Sequence, residues 1–214
     1  MTQYAFHFWW VMCFVVLIFV AIWMGRQKKL GLFGILIDNR GRYSLTHFQV
    51  VVWTLLILSS LLGVLFSNGF DPTTLSLSPE LLGLMGISAA SGVLATGVKA
   101  MKDAPGSNVQ VARVGLTLTL RDGSSSKITA QFAQIWLEEE GDLADKVISV
   151  TKFQNFIFTL VAVVFYVSIA WKHGGLPDLP ENVVWLIGIS HTGYVGGKVP
   201  SQLSQTKKPE GTDK

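Results

Sequence analysis

Apolar residues run through this chain in long uninterrupted blocks rather than in the alternation of half-buried strands. Five blocks stand out, at 8–25, 48–66, 81–98, 153–171 and 183–199. A helix that crosses a bilayer needs about 20 largely apolar residues, with roughly 17 to 25 usual. The first four blocks fit that length. The fifth is short, bracketed by Glu181 and Lys198 and interrupted by Gly188, Gly193, Gly196 and Gly197. The pattern predicts an all-α integral membrane protein with five transmembrane helices, a lone N-terminal helix followed by two helical hairpins.

Two of the blocks open with the same phrase. SLTHFQVVVWTLL begins at Ser44 and SVTKFQNFIFTLV at Ser149, sharing Ser, Thr, Phe and Gln in register and then a further Thr and Leu. The Gly-Ile-Ser of Gly86–Ser88 returns at Gly188–Ser190. Each copy reads as an interfacial stretch, a helix going out and a helix coming back. Both copies start and end on one side, so the expectation is a parallel repeat, related by an axis along the membrane normal. The chain divides into an N-terminal transmembrane helix (1–30), a first hairpin repeat (31–98), a cytoplasmic insertion (99–130), a second hairpin repeat (131–199) and a disordered cytoplasmic tail (200–214).

Within the repeat, Thr46 with Gln49 and Thr151 with Gln154 have capping-box spacing, in which each side chain satisfies a backbone donor at the helix start. Pro79 and Pro180 suit the first turn of the returning helices, and Glu80 and Glu181 complement their positive ends. The returning helices are dense in Gly, Ala, Ser and Thr. Ser88 with Gly92 and Gly193 with Gly197 are spaced four apart, and Gly86 and Gly188 add to the same faces; small residues at that spacing let helix backbones approach closely in lipid. The third and fifth helices are therefore expected to pack inside, against each other or against further copies. The outgoing helices, rich in Val, Leu, Phe and Trp, are expected to face lipid.

The loop between the third and fourth blocks carries weaker signals. VARVGLTLTL alternates apolar and polar residues from Ala112 to Leu120, and a turn at Arg121–Gly123 makes a β-hairpin with a partner near Lys127 a candidate. KITAQFAQIW reads equally well as a helix, with Ile128, Phe132, Ile135 and Trp136 on one face suited to a membrane surface. The acidic run Glu138–Asp142 is expected to be solvated, since nothing near it supplies metal ligands at a defined spacing.

Composition and charge sharpen this picture. Of 214 residues, 50% are hydrophobic and only 14% charged, against about 25% charged in soluble domains. The net charge of +3 does not point to nucleic acid, because the placement of the basic residues explains it. Alternating the loops across a membrane puts 16 of the 17 Lys and Arg on one side, leaving Lys172 alone on the other. Short loops rich in Lys and Arg stay cytoplasmic, so the N-terminus is expected outside and the C-terminus inside. Arg26, Lys28 and Lys29 are expected to contact anionic lipid headgroups. The first block lacks a basic leader and a small-residue cleavage site, so it reads as an uncleaved helix rather than a signal peptide. Cys13, the one cysteine, lies inside it as a small apolar filler.

Candidate chemistry is sparse. His191 falls near the middle of the fifth block, between Ser190 and Thr192, and ionisable residues at that depth are a functional hypothesis by default. With Ser88 and Ser91 on the third helix, these residues form a candidate intramembrane polar site. TGYVGGKV lacks the first Gly and the final Ser or Thr of a phosphate loop, and HTGYVGG has the letters of a potassium filter in the wrong order. No nucleophile–base or paired-carboxylate arrangement appears in the blocks, so no catalytic, cofactor or metal site is expected.

GRYSLTHFQVVVWT, LLGLMGIS and GISHTGYVGGK resemble segments of uncharacterised multi-pass bacterial membrane proteins with duplicated helical hairpins. The resemblance spans about Arg40 to Lys198; it implies the duplicated fold and a bacterial plasma membrane, and implies no activity. Two functions follow for testing: a non-catalytic membrane subunit that oligomerises or anchors a partner at its cytoplasmic face, or an oligomeric ion channel or small transporter lined by the third and fifth helices.

Overall fold

The computed structural model describes residues 3–27, 32–103, 117–119, 125–127, 130–140 and 144–196. Five helices account for most of them: α1 (Gln3–Gln27), α2 (Leu45–Ser67), α3 (Pro79–Lys102), α4 (Val150–His173) and α5 (Glu181–Gly196). α1 to α4 are long and apolar enough to cross a membrane. α5 has 16 described residues, about 24 Å at 1.5 Å per residue, and among the described residues it is not one of the helices long and apolar enough to cross. Two short strands, β1 (Thr117–Thr119) and β2 (Ser125–Lys127), pair antiparallel. The remainder of the 99–130 insertion beyond Asp103, Lys28, Lys29, Gly197 and the tail lie outside the described residues.

The helix ends follow local chemistry. Ser78 caps α3, its hydroxyl accepting from the Leu81 amide at 3.2 Å, with Pro79 next and Glu80 in the first turn. α4 stops at Gly174, whose φ of 67° closes the last turn in a conformation that disfavours a side chain. In the α2–α3 connection, Asp71 accepts from both the amide and the hydroxyl of Thr73, which holds its carboxyl below the usual range.

The helices alternate in direction. His7 near the start of α1 stacks on Trp171 near the end of α4, and Trp9 meets Phe66 at the end of α2. At the opposite end, Lys99 of α3 reaches Asp38 before α2, and Tyr194 of α5 reaches Thr46. One end of the bundle thus collects the chain start and the connections at 68–78 and 174–180. The other, the charged end, collects 32–44, Asp103 and 130–149.

α2 is the central helix, not a lipid-facing one as its composition predicts. It buries Leu45, Thr46, Gln49, Trp53, Leu56, Ile57, Ser59, Ser60, Gly63 and Val64. Apolarity does not decide which helix goes inside where the surroundings are equally apolar; the polar residues of α2 do, because they need partners. Trp10 of α1 donates to Ser59 at 3.1 Å, and Ser60 bonds the hydroxyl of Tyr166 on α4. Around these bonds pack Phe6, Trp10, Trp53, Leu81, Leu84 and Ile187. Gly63 lets α1 come close: a Cβ there would stand 3.0 Å from the Trp10 Cα.

The same sequence of local features leads into α2 and into α4. A 3-10 turn at Gly34–Leu36 precedes a bridge between Ile37 and Tyr43, and Ser44 then holds the N-cap of α2. A 3-10 turn at Phe132–Ile135 precedes a bridge between Leu137 and Ile148, and Ser149 then holds the N-cap of α4. Phe132–Ile135 is only one turn, so the amphipathic surface helix does not form; Ile135 is instead buried with Leu45 and Tyr194.

Candidate functional site

Two buried polar assemblies stand out, one at the charged end and one along the interior. The first is built from residues that flank helices. Arg40 and Arg42 sit in the tight loop before α2, which Asp38 organises by accepting from the amides of both. Lys99 and Lys102 lie on the last turn of α3, and Lys152 on the first turn of α4. Glu139 and Glu140 follow the bridge residue Leu137 in the segment before α4.

These charges meet. Arg40 pairs with Asp103 at 3.2 Å and with Glu139 at 3.3 Å. Lys99 pairs with Asp38, and with Glu139 at 3.4 Å. Lys152 reaches Glu139 at 2.7 Å and the Leu137 carbonyl at 2.7 Å. Lys102 holds Glu140 at 2.7 Å, and Arg42 holds Asp145. Among the described residues, five cations (Arg40, Arg42, Lys99, Lys102, Lys152) thus face five carboxylates (Asp38, Asp103, Glu139, Glu140, Asp145), and these ten charges balance. The cations of this plate are buried, with Arg40 3% and Arg42 1% exposed, while Glu140 and Asp145 lie at its partly exposed edge.

Within the acidic run, Glu139 is only 7% exposed and is not solvated as expected; it supplies the hub, while Gly141 and Asp142 lie outside the described residues. The reason is electrostatic: three cations converge on one carboxylate at the bundle end, and desolvated cations require such partners. Sequence reasoning missed Asp38, Asp103, Glu139 and Asp145. The available signal was that most of the 14 Asp and Glu fall on the same side as the Lys and Arg.

The second assembly is a polar seam through the bundle. His191 Nδ1 lies 2.8 Å from the Ser91 hydroxyl, joining α5 to α3. Ser190 donates to the Asn155 side chain at 2.9 Å, joining α5 to α4. Gln49 donates to Thr159 at 2.7 Å, joining α2 to α4, and Thr46 lies 3.3 Å from the Tyr194 hydroxyl. His191 is 3% exposed. Ser88 is buried beside Trp53 in the α2–α3 groove. Thr192 bonds the Gly188 carbonyl of its own helix and faces outward. The five expected polar residues are therefore not one site: Ser91, Ser190 and His191 join the seam, Ser88 and Thr192 do not.

The capping boxes do not form. Ser44 and Ser149 occupy the N-caps without side-chain cap bonds, which shifts Thr46 and Gln49 into the helix, where they tie α2 to α5 and α4. Thr151 and Gln154 are exposed. Among the expected packing glycines, Gly92 lies against Val50 and Gly188 against Ile87, whereas nothing stands within 4 Å of a Cβ at Gly86 or Gly193. Arg26 is exposed at the end of α1, open to headgroup contact. Cys13 is buried as a free thiol. Among the described residues no cluster of His, Cys, Asp and Glu could hold a metal ion.

No family model, curated protein or solved structure matches the chain.

Proposed function

We propose that this chain is a non-catalytic, multi-pass subunit of a bacterial plasma membrane, which oligomerises or anchors a partner at its charged, cytoplasmic end. One observation carries the reading: the ion-pair plate, whose ten described charges balance and lock four separate chain segments into one surface. Such a plate holds a shape for a partner rather than a charge for a substrate. The sidedness rests on the basic residues gathered at that end, which puts the N-terminus outside.

The hairpins are a duplication in this reading. Support comes from the matched order of 3-10 turn, bridge and serine cap before α2 and before α4. The plate then joins the two copies, since Arg40 and Arg42 of the first meet Glu139 and Asp145 of the second.

The alternative, an oligomeric channel or transporter lined by α3 and α5, is less well supported. His191 and Ser91 bond each other inside a single chain, and His191 is closed to solvent there.

The test is the native mass of the complex extracted gently from its own membrane, with wild type beside Glu139→Gln. A complex of fixed stoichiometry that is lost in the folded variant supports the anchor. Ion flux from proteoliposomes that falls in His191→Ala would overturn it in favour of the channel.

A further inference from the structure

Between α2 and α3 runs a groove built from three adjoining cavities of about 200, 400 and 270 Å³. The first two share Thr46, His47 and Thr96, and the last two share Val50 and Ala89. The floor is the close approach of the helices, where a Cβ on Gly92 would stand 3.2 Å from a Val50 methyl. The groove is graded along its length. At the charged end it is bordered by Asp38, Asn39, His47 and Lys99; further along, its walls are Leu58, Leu61 and Met85.

We propose that this groove binds one phospholipid, with an acyl chain lying between α2 and α3 and the headgroup at Asn39, His47 and Thr96. Three features carry the assignment. The polar border occupies one end only, which matches an amphipathic ligand lying along the helices. From His47 to Leu61 the groove runs for 14 residues, about 21 Å, enough for the roughly 15 Å that one leaflet contributes to a hydrocarbon core of about 30 Å. Its mouth is electrically balanced, because Lys99 is paired with Asp38, yet it offers hydrogen-bonding side chains on exposed residues, Asn39 and Thr96. A helix from a second copy is a poor fit, since its diameter of about 10 Å exceeds a cleft floored by van der Waals contact. The proposal does not depend on the anchor reading.

The experiment uses the full chain in a mild nonionic detergent with added phosphatidylethanolamine, counting bound phospholipid by native mass spectrometry. Wild type retains one lipid per chain. Ala89→Phe, which fills the middle of the groove from an exposed position, lowers retention at least tenfold, whereas Val164→Phe on the outer face of α4 does not. A second measurement needs no variant: a phospholipid photoreactive on its acyl chain labels the peptides carrying Leu58, Leu61 and Met85. Equal retention in Ala89→Phe and wild type would overturn the proposal, as would labelling spread evenly over α1 and α4. A lipid-free dimer that Ala89→Phe dissociates would assign the groove to a second copy instead.

Discussion

Arg40 and Glu139 are 99 positions apart in the chain, and the Arg40 Nη1 lies 3.3 Å from the Glu139 Oε2 with both side chains nearly closed to solvent. The pair joins the loop before α2 to the segment before α4. Because Lys99 and Lys152 converge on the same carboxylate, this one residue holds the starts of both outgoing helices and the end of α3.

Glu139→Gln is therefore expected to destabilise the fold by about 3–5 kcal/mol, the range for removing one partner from a buried ion pair. Glu140 is 31% exposed, and Glu140→Gln is expected to cost about 1 kcal/mol or less, as surface pairs do. Thermal unfolding of the two variants in the same detergent checks the ordering. Equal, small losses would mean that the plate does not hold the bundle end.

The His191–Ser91 contact is a bond between helices in an apolar setting. A double-mutant cycle with His191→Ala and Ser91→Ala is expected to give a coupling of about 0.6 kcal/mol and no more than about 1.7 kcal/mol. Denaturation in mixed micelles supplies the four free energies. Zero coupling would show that the two side chains are near each other without bonding.

Two glycines offer an internal control. Gly63→Ala drives a methyl to 3.0 Å from the Trp10 backbone, and overpacking of that kind costs about 1–3 kcal/mol. Gly86→Ala meets nothing within 4 Å and is expected to be neutral or to stabilise by up to about 1 kcal/mol through helix propensity. The melting temperature should fall in Gly63→Ala and hold or rise in Gly86→Ala. Matching losses would contradict the close approach of α1 and α2.

The helix starts are tested by Ser78→Ala against Thr151→Ala. Ser78 accepts from the Leu81 amide, and losing such a cap costs about 1 kcal/mol. Thr151 is exposed and caps nothing, so its replacement should leave the unfolding free energy unchanged. A larger loss at Thr151 would restore the capping box that the spacing suggests.

The helices were readable from the sequence because a run such as 48–66 has the length of a span and no charge to interrupt it. The small residues of the third and fifth helices suggested packing against each other or against further copies; α3 and α5 do lie side by side, with Gly188 against Ile87, although Gly86 and Gly193 meet nothing. The hub was not readable. A run of three glutamates looks the same whether water or three cations surround it, and the cations come from positions 40, 99 and 152, which only the fold assembles. Gln49 misled for a related reason: its distance from Thr46 fits a cap, but its role depends on Thr159, 110 residues away. Spacing reports neighbours along one helix, whereas burial and partner choice are settled between helices.

The charge balance of the plate also orders events in time. In a chain made from its N-terminus, Arg40 and Arg42 emerge 99 and 103 residues before Glu139 and Asp145. Until their acidic partners emerge, beginning with Asp103 for Arg40, the arginines stand unpaired and, on the proposed sidedness, can hold this end of the chain against translocation. Once the acidic segment arrives, the same charges are withdrawn from solvent and become a fastening. On the proposed sidedness, a signal read during insertion is thereby turned into a bolt in the finished protein, and a glutamate lost from position 139 would leave the orientation unchanged but the charged end of the bundle unsecured.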